Sequence, residues 1–492
     1  MNKIHANGKS FADETGRERI FSGLNFVYKG IAADENGVIN YKTELDETRA
    51  AKMAERGMNI VRLGVTWAGV EPEMCRYNTT YLEKVKETVK ICEKYGIYVY
   101  IDFHQDLYSP VTNGDGAPAW ATLLDGAKVH PMRFIWAEGY FWGRACHRAF
   151  DNFWANTEIK GRGIQDRFAD MLKYVVNYLS DCPNIMAYDV LNEPFPGTPG
   201  GKIFRNLVLN GTGTLLVSKR VDRKKMLRDA LSGNIMNALS VADDPVVYHG
   251  IIDKAHALLE KFDKECYYPF FKRCCEAVRS VTEDVMIFME NSYYSNLGIP
   301  DECPRVKYDD GKEETNLAFA CHGYDITVDT PLTNKASPYR VDFIFDEHKR
   351  KQEQLNAPVI VGEWGGMVPG SDEYPALEHL IDKFDSNKWS QTYWHYQKEL
   401  LEDESLIGKI LSRPYPQAVA GKIKKYGFDR KTNTFTLSYS SDGSVKTPTV
   451  IYLPSEPKKV LSTKKYFIKE VNGGYLLNVY AGKGECIVKA EL

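Results

Sequence analysis

Eight short apolar runs, each ended by polar residues and most separated by longer helical stretches, constrain this chain more than any other feature. They are Phe21–Phe26, Asn59–Gly64, Tyr98–Phe103, Ile185–Leu191, Val285–Met289, Leu317–Cys321, Val359–Val361 and Ser390–Trp394. The stretch 81–95 illustrates the intervening pattern: Leu82, Val85, Val89 and Cys92 recur at helical spacing among Lys and Glu. Strands that alternate with helices pair in parallel through right-handed crossovers. Eight such units closing on themselves predict an α/β fold, a (β/α)8 TIM barrel. An open doubly wound sheet would need a glycine-rich phosphate turn after its first strand, and Gly23 with Gly30 does not make one.

The pattern changes near residue 415. Arg413-Pro414-Tyr415-Pro416 reads as a boundary, and short strands are predicted beyond it at Thr434–Tyr439, Pro448–Leu453, Val460–Ile468, Gly474–Tyr480 and Glu485–Val488. Turns rich in Gly, Ser and Asn separate several of them. The expected division is therefore a barrel over 1–412 and a small C-terminal antiparallel β-sandwich over 413–492.

Composition narrows the function. Hydrophobic residues make up 43% of 492, enough for a sizeable core, and the net charge of −3 gives no global case for nucleic acid or an anionic membrane. The basic cluster Lys219-Arg220 with Arg223-Lys224-Lys225 reads as a solvated helix face. Residues 1–9 lack the apolar core of a secretion signal, and no run approaches the roughly 18 apolar residues of a membrane span. The expectation is a cytoplasmic chain, or a secreted one whose signal is absent here. The 10 cysteines show no paired metal spacing and read as reduced, mostly buried thiols.

The chemistry is expected where the runs end, because catalytic groups of a barrel cluster at the C-terminal ends of its strands. Those ends carry Asn25 and Lys29, Arg62, His104 and Asp106, Asn192 and Glu193, Glu290, His322 and Tyr324, Glu363, and Trp394. Glu193 and Glu363 stand out, each closing an apolar run. A partly desolvated carboxylate there needs a partner or a task. Glycoside hydrolysis uses such a pair, with one acid protonating the leaving oxygen and one carboxylate attacking the anomeric carbon. Arg62 and Tyr324 are positioned to hydrogen-bond Glu363, Asn192 to reach a sugar 2-hydroxyl, and His104 and His322 to orient carboxylates or bind hydroxyls. Trp394 offers an aromatic face to a sugar ring. A metal hydrolase is the chemical competitor, but neither His-x-His nor His-Glu-x-x-His occurs, and no Gly-x-Ser-x-Gly elbow is present. No cofactor or metal is expected.

The ordered set Arg62, His104, Asn192-Glu193-Pro194, His322-x-Tyr324, Glu363 and Trp394 resembles the retaining (β/α)8 glycosidases of glycoside hydrolase family 5. That resemblance implies acid/base for Glu193 and nucleophile for Glu363. A narrower resemblance, to endoglycoceramidases and related steryl-glucoside and glucosylceramide β-glycosidases, rests on four segments. They are Gly23-Leu24-Asn25 with Lys29-Gly30, His104-Gln105-Asp106-Leu107-Tyr108, Arg148–Trp154, and Arg413–Gly421. It implies that Lys29, Asp106 and Trp394 line the sugar site, with Trp154 also at the substrate, and that the bond cleaved joins a glycan to a lipid or other apolar aglycone. The partner implied is a glycolipid or other glycoside, reached by transient membrane-surface contact, with no obligate protein partner. Residues 195–247 carry mixed Leu, Val and Ile and either cover a lipid tail or merely pack on the barrel. The aromatic stretch Phe134–Trp142 likewise reads as an aglycone surface or a buried loop core. A polysaccharide endoglucanase, an intracellular exo-β-glucosidase and a non-catalytic carbohydrate-binding barrel are the alternatives.

Overall fold

The structure is a computed structural model that describes residues 1–29, 43–133 and 135–492. Its centre is a closed barrel of eight parallel strands: β1 (Ser22–Phe26), β2 (Ile60–Val65), β3 (Tyr98–Phe103), β4 (Ile185–Asp189), β5 (Met286–Glu290), β6 (Leu317–His322), β7 (Val359–Glu363) and β8 (Ser390–Tyr393). All eight predicted runs are strands, displaced by at most two residues at either end. Every strand residue is buried, as expected of strands covered on both faces. β1 and β2 lie so close that a Cβ at Gly23 would stand 1.7 Å from the Ile60 carbonyl oxygen. Close strand packing, not phosphate binding, is what this glycine serves. The amphipathic stretch forms the helix Thr79–Lys94, with Leu82, Val85, Val89 and Cys92 on its buried face. All ten cysteines are unpaired.

The C-terminal part is a sandwich of two antiparallel sheets, with Phe435, Leu437, Ile451 and Leu477 among the residues between them. Two of its strands, Tyr415–Val419 and Lys422–Asp429, precede the first one predicted. The predicted single strand Val460–Ile468 is two, Lys459–Ser462 and Tyr466–Val471, which turn into different sheets.

The expected division at 412 needs correction at the other end of the chain. Ile4–Asn7, Ser10–Asp13 and Glu18–Arg19 extend the larger sandwich sheet, the last pairing with Tyr415–Val419. The same segment plugs the barrel floor: Ile4 and Phe11 pack with Phe21, Tyr98 and Phe288. Such short half-buried strands carry little periodicity, and only their distant partners make them strands.

The boundary motif clamps the two parts together. Arg413 pairs with Asp385, whose carboxylate also accepts from the Tyr426 hydroxyl at 3.1 Å, and the Tyr415 hydroxyl donates to the Gly57 carbonyl at 2.6 Å. Among the described residues no helix is long and apolar enough to cross a membrane.

Candidate active site

β4 and β7 bring Glu193 and Glu363 together at the C-terminal mouth. An oxygen of each and a ring nitrogen of His322 all lie within 4.8 Å of one another. Such a close approach is of the kind found in retaining glycosidases, whose two carboxyls stand roughly 5 to 5.5 Å apart. Both carboxylates are nearly inaccessible. Glu193 adopts φ 43°, a left-handed conformation uncommon outside glycine, and its N–H donates to Glu290 Oε2 at 2.7 Å.

The two environments differ. Glu193 Oε1 accepts from Asn296 Nδ2 at 2.6 Å and lies 3.0 Å from His322 Nδ1. Burial pushes the Glu193 carboxyl up to about 7, with the charge of Glu363 adding to the effect and His322 opposing it. Glu363 instead accepts from Arg62 at Oε1 and from the Tyr324 hydroxyl at Oε2, 3.0 Å. The two carboxyls thus have different partners: an amide and an imidazole at Glu193, a guanidinium and a phenol at Glu363.

Arg62 is the hub beneath them. Fully buried, it also donates to Glu290 Oε1 at 2.6 Å, Asn192 Oδ1 at 2.8 Å and Asn25 Oδ1 at 3.1 Å, and lies 3.1 Å from Asp102 and 3.3 Å from Asp189. Glu290 is held down to about 2: His322 and Arg62 outweigh its burial. His322 is driven well above the ordinary imidazole range, because Glu290 and Glu363 overcome a burial penalty that alone would depress it. Gly362 makes this approach possible, since a Cβ there would stand 2.9 Å from His322 Nε2.

A polar wall rises from β1, β3 and β8. Lys29 pairs with Asp106, and its ammonium lies 5.3 Å from the Trp394 ring centre and 5.5 Å from that of Trp136. His104 stacks on Trp394, with ring centres 5.6 Å apart and planes at 13°. Its Nδ1 is 2.8 Å from Asp102 Oδ2. Burial would lower this imidazole, but Asp102 and then Asp106 lift it to about 10. The Trp394–His395 peptide is cis.

Much of the remaining lining is apolar. Phe204, Leu207 and Val208 of the helix Thr198–Val217, with Tyr248, Ile251 and Ile252 of the helix Pro245–Ile252, line the same cavity of about 820 Å³ as both glutamates. Ile135, Trp136 and Phe141 join them, so the aromatic stretch borders the cavity. Phe134 and Gly30 lie outside the described residues.

Of the predicted site residues, Lys29, His104, Asp106, Asn192, Glu193, Tyr324, Glu363 and Trp394 line this cavity, and Arg62 and His322 lie against its carboxylates. Trp154 does not belong with them. It packs on Phe153, Phe262 and Phe270 and donates from Nε1 to the Phe195 carbonyl at 2.8 Å, outside the cavity lining. Its helix, Arg144–Trp154, turns that ring into the aromatic core behind β4, so Trp154 braces the segment after Glu193. Three residues escaped assignment. Asn296 sits in the short 3-10 helix Tyr293–Leu297 and has no sequence signal. Asp102 and Asp189 carried one: a carboxylate inside an apolar strand requires a buried partner.

Two family models match the chain: "Cellulase (glycosyl hydrolase family 5)" over residues 21–399 and "Glycoside hydrolase family 5 C-terminal domain" over 413–469. An endoglycoceramidase of Hydra vulgaris is 25% identical over 89% of this chain and 78% of its own. Endoglycoceramidase I of Rhodococcus hoagii is 22% identical over 92% and 79%. Among solved structures, endo-glycoceramidase II of a Rhodococcus species in its ganglioside GM3 complex superposes with a TM-score of 0.71 at 22% identity, covering 99% of both chains. Sterylglucosidase 1 of Cryptococcus neoformans gives 0.70 at 15% identity, over 99% of this chain and 97% of its own. The paired carboxylates at the mouth of a (β/α)8 barrel and the match across more than three-quarters of the chain lead to one conclusion: this protein belongs to glycoside hydrolase family 5.

Proposed function

We propose that this chain is a retaining β-glycosidase that cleaves the bond between a glycan and a lipid or other apolar aglycone. The observation that carries this reading is the mixed lining of one cavity that holds both carboxylates: Lys29, His104, Asp106 and Trp394 together with the apolar Phe204, Leu207, Ile251 and Ile252. Ligand sites place a few polar groups for orientation and cover the rest with apolar surface. The endoglycoceramidases among its relatives support the assignment.

The mechanism is a double displacement. Glu363, oriented by hydrogen bonds from Arg62 and Tyr324, attacks the anomeric carbon and forms a covalent glycosyl-enzyme. Glu193, protonated, gives its proton to the departing glycosidic oxygen. Asn296 and His322 both engage Oε1, so Oε2 is the proton-bearing atom. The same group, now ionised, deprotonates the water that releases the sugar. Asn192 is held by Arg62 and by the Gln105 carbonyl, and keeps one amide N–H for the sugar 2-hydroxyl.

The deciding experiment is a turnover panel of aryl β-glycosides, glucosylceramide, a ganglioside and carboxymethylcellulose, with Glu363→Gln as control. Intact oligosaccharide released from the ganglioside, and lost in the variant, supports the reading. Monosaccharide release alone points to an exo-β-glucosidase. Activity confined to the polymer overturns the apolar-aglycone assignment.

A further inference from the structure

The helix Thr198–Val217 is built unlike the other barrel helices. From Asn206 to Ser218 it carries no charged residue, yet Leu209, Leu216 and Val217 are 61%, 58% and 78% exposed. Val208 joins this rim to the cavity, being 52% exposed while lining it. Trp142, 53% exposed, packs edge-on against Phe204 of the same helix at 5.6 Å. The helix that follows, Arg223–Leu231, buries nothing, and Leu227 and Leu231 are exposed as well.

Directly beside the apolar rim lies the chain's strongest local charge. Between Lys219 and Arg228 the sequence carries six basic side chains, all exposed, and one acidic residue, Asp222, in a protein whose net charge is −3; Arg220 pairs with Asp244 and Lys225 with Asp229. Exposed aliphatic side chains and a tryptophan, bordered by lysine and arginine, are what an interfacial helix presents to a bilayer: apolar groups enter the acyl boundary and cations meet anionic headgroups.

We propose that the segment from Thr198 to Leu231 docks the protein onto an anionic phospholipid bilayer and delivers the glycolipid from it past Val208 into the cavity. The basic cluster is thus a headgroup contact, not an idle solvated face. The delivery half rests on the lipid-aglycone reading above; the docking half does not.

The test is co-sedimentation with vesicles of phosphatidylcholine alone and of phosphatidylcholine with phosphatidylserine, using the full chain. The inactive Glu363→Gln protein, Leu216→Asp/Val217→Asp and Lys224→Glu/Lys225→Glu are compared with it. The expected result is binding to the anionic vesicles that weakens with salt, persists in Glu363→Gln, and falls about tenfold or more in each surface variant. Turnover of a soluble aryl β-glycoside stays unchanged in both surface variants, which shows that they fold. Binding absent in the parent, or equal in all variants, overturns the proposal. So does concentration-dependent dimerisation that Leu216→Asp/Val217→Asp removes while vesicles go unbound, because the rim is then a contact between copies. Vesicle binding by a protein that hydrolyses no glycolipid retains the docking and removes the substrate assignment.

Discussion

Asn296 donates to Glu193 Oε1 at 2.6 Å, from the short 3-10 helix after β5 to the carboxyl after β4. It fixes one oxygen of the proposed acid/base, whose carboxyl burial pushes up to about 7. The expected consequence is a pH profile whose alkaline limb is set by Glu193. The kcat/KM for an alkyl or lipid β-glycoside should fall about tenfold per pH unit above 7. For a dinitrophenyl glycoside, which leaves without protonation, the limb should be absent from the glycosylation step. Equal limbs for both substrates would assign the titration to another group.

Glu193→Gln should separate the two half-reactions. Glycosylation by substrates with poor leaving groups is expected to slow by roughly 10² to 10⁴-fold. Azide, needing no deprotonation, should restore turnover of the dinitrophenyl glycoside and yield the β-glycosyl azide, identified by NMR. An α product would exclude a retaining role for Glu193.

The same substitution should alter stability in a fixed direction. The Glu193 carboxyl is raised on folding, so the stability tied to its proton is complete below its unfolded value near 4.5 and is lost as pH rises through about 7. Replacing it with neutral Gln removes that loss. The variant should gain on the order of 3 kcal/mol relative to the parent between pH 5 and pH 8, read from urea midpoints at the two pH values. An unchanged difference would show that the carboxyl titrates normally.

Glu363 should be the residue that a 2-deoxy-2-fluoro β-glycoside labels. Peptide mapping of the trapped protein is expected to place one sugar on the segment containing Glu363. Glu363→Gln should take no label and lose on the order of 10⁴-fold or more in turnover. Tyr324→Phe, which deletes the 3.0 Å hydrogen bond to Oε2, should cost roughly ten- to hundredfold in kcat/KM while still accepting the label. Label on any other carboxylate would displace Glu363 from its role.

Arg62→Met should act chiefly on stability. It strips a fully buried cation from Glu290, Asp102, Asp189 and Glu363 at once. Removing one partner from a buried ion pair costs about 3 to 5 kcal/mol, so the variant should unfold at a much lower urea concentration near neutral pH and regain part of the difference in acid. A midpoint within error of the parent would mean that the network is not held by its charge.

How much of this was legible beforehand follows from the range over which each signal acts. Eight apolar strands, their helical connectors and the polar residue ending each strand are local patterns, written at periods of two and 3.6 residues, and they sufficed for the barrel and for Glu193 and Glu363. Residues 4–19 were opaque because their partners lie about 400 positions away in the sandwich and under the barrel floor. Trp154 was misplaced because its motif says which helix carries it but not which way the ring turns, and packing behind β4 decided that. Asn296 gave no sign, since a lone amide becomes a ligand of Glu193 only when β5 stands beside β4. The sequence by itself determined which strands exist and which carboxylates end them. Only the tertiary structure decided that the Glu193 carboxyl is raised and that Arg62 and Tyr324 reach Glu363, because both follow from burial and from groups contributed by distant strands.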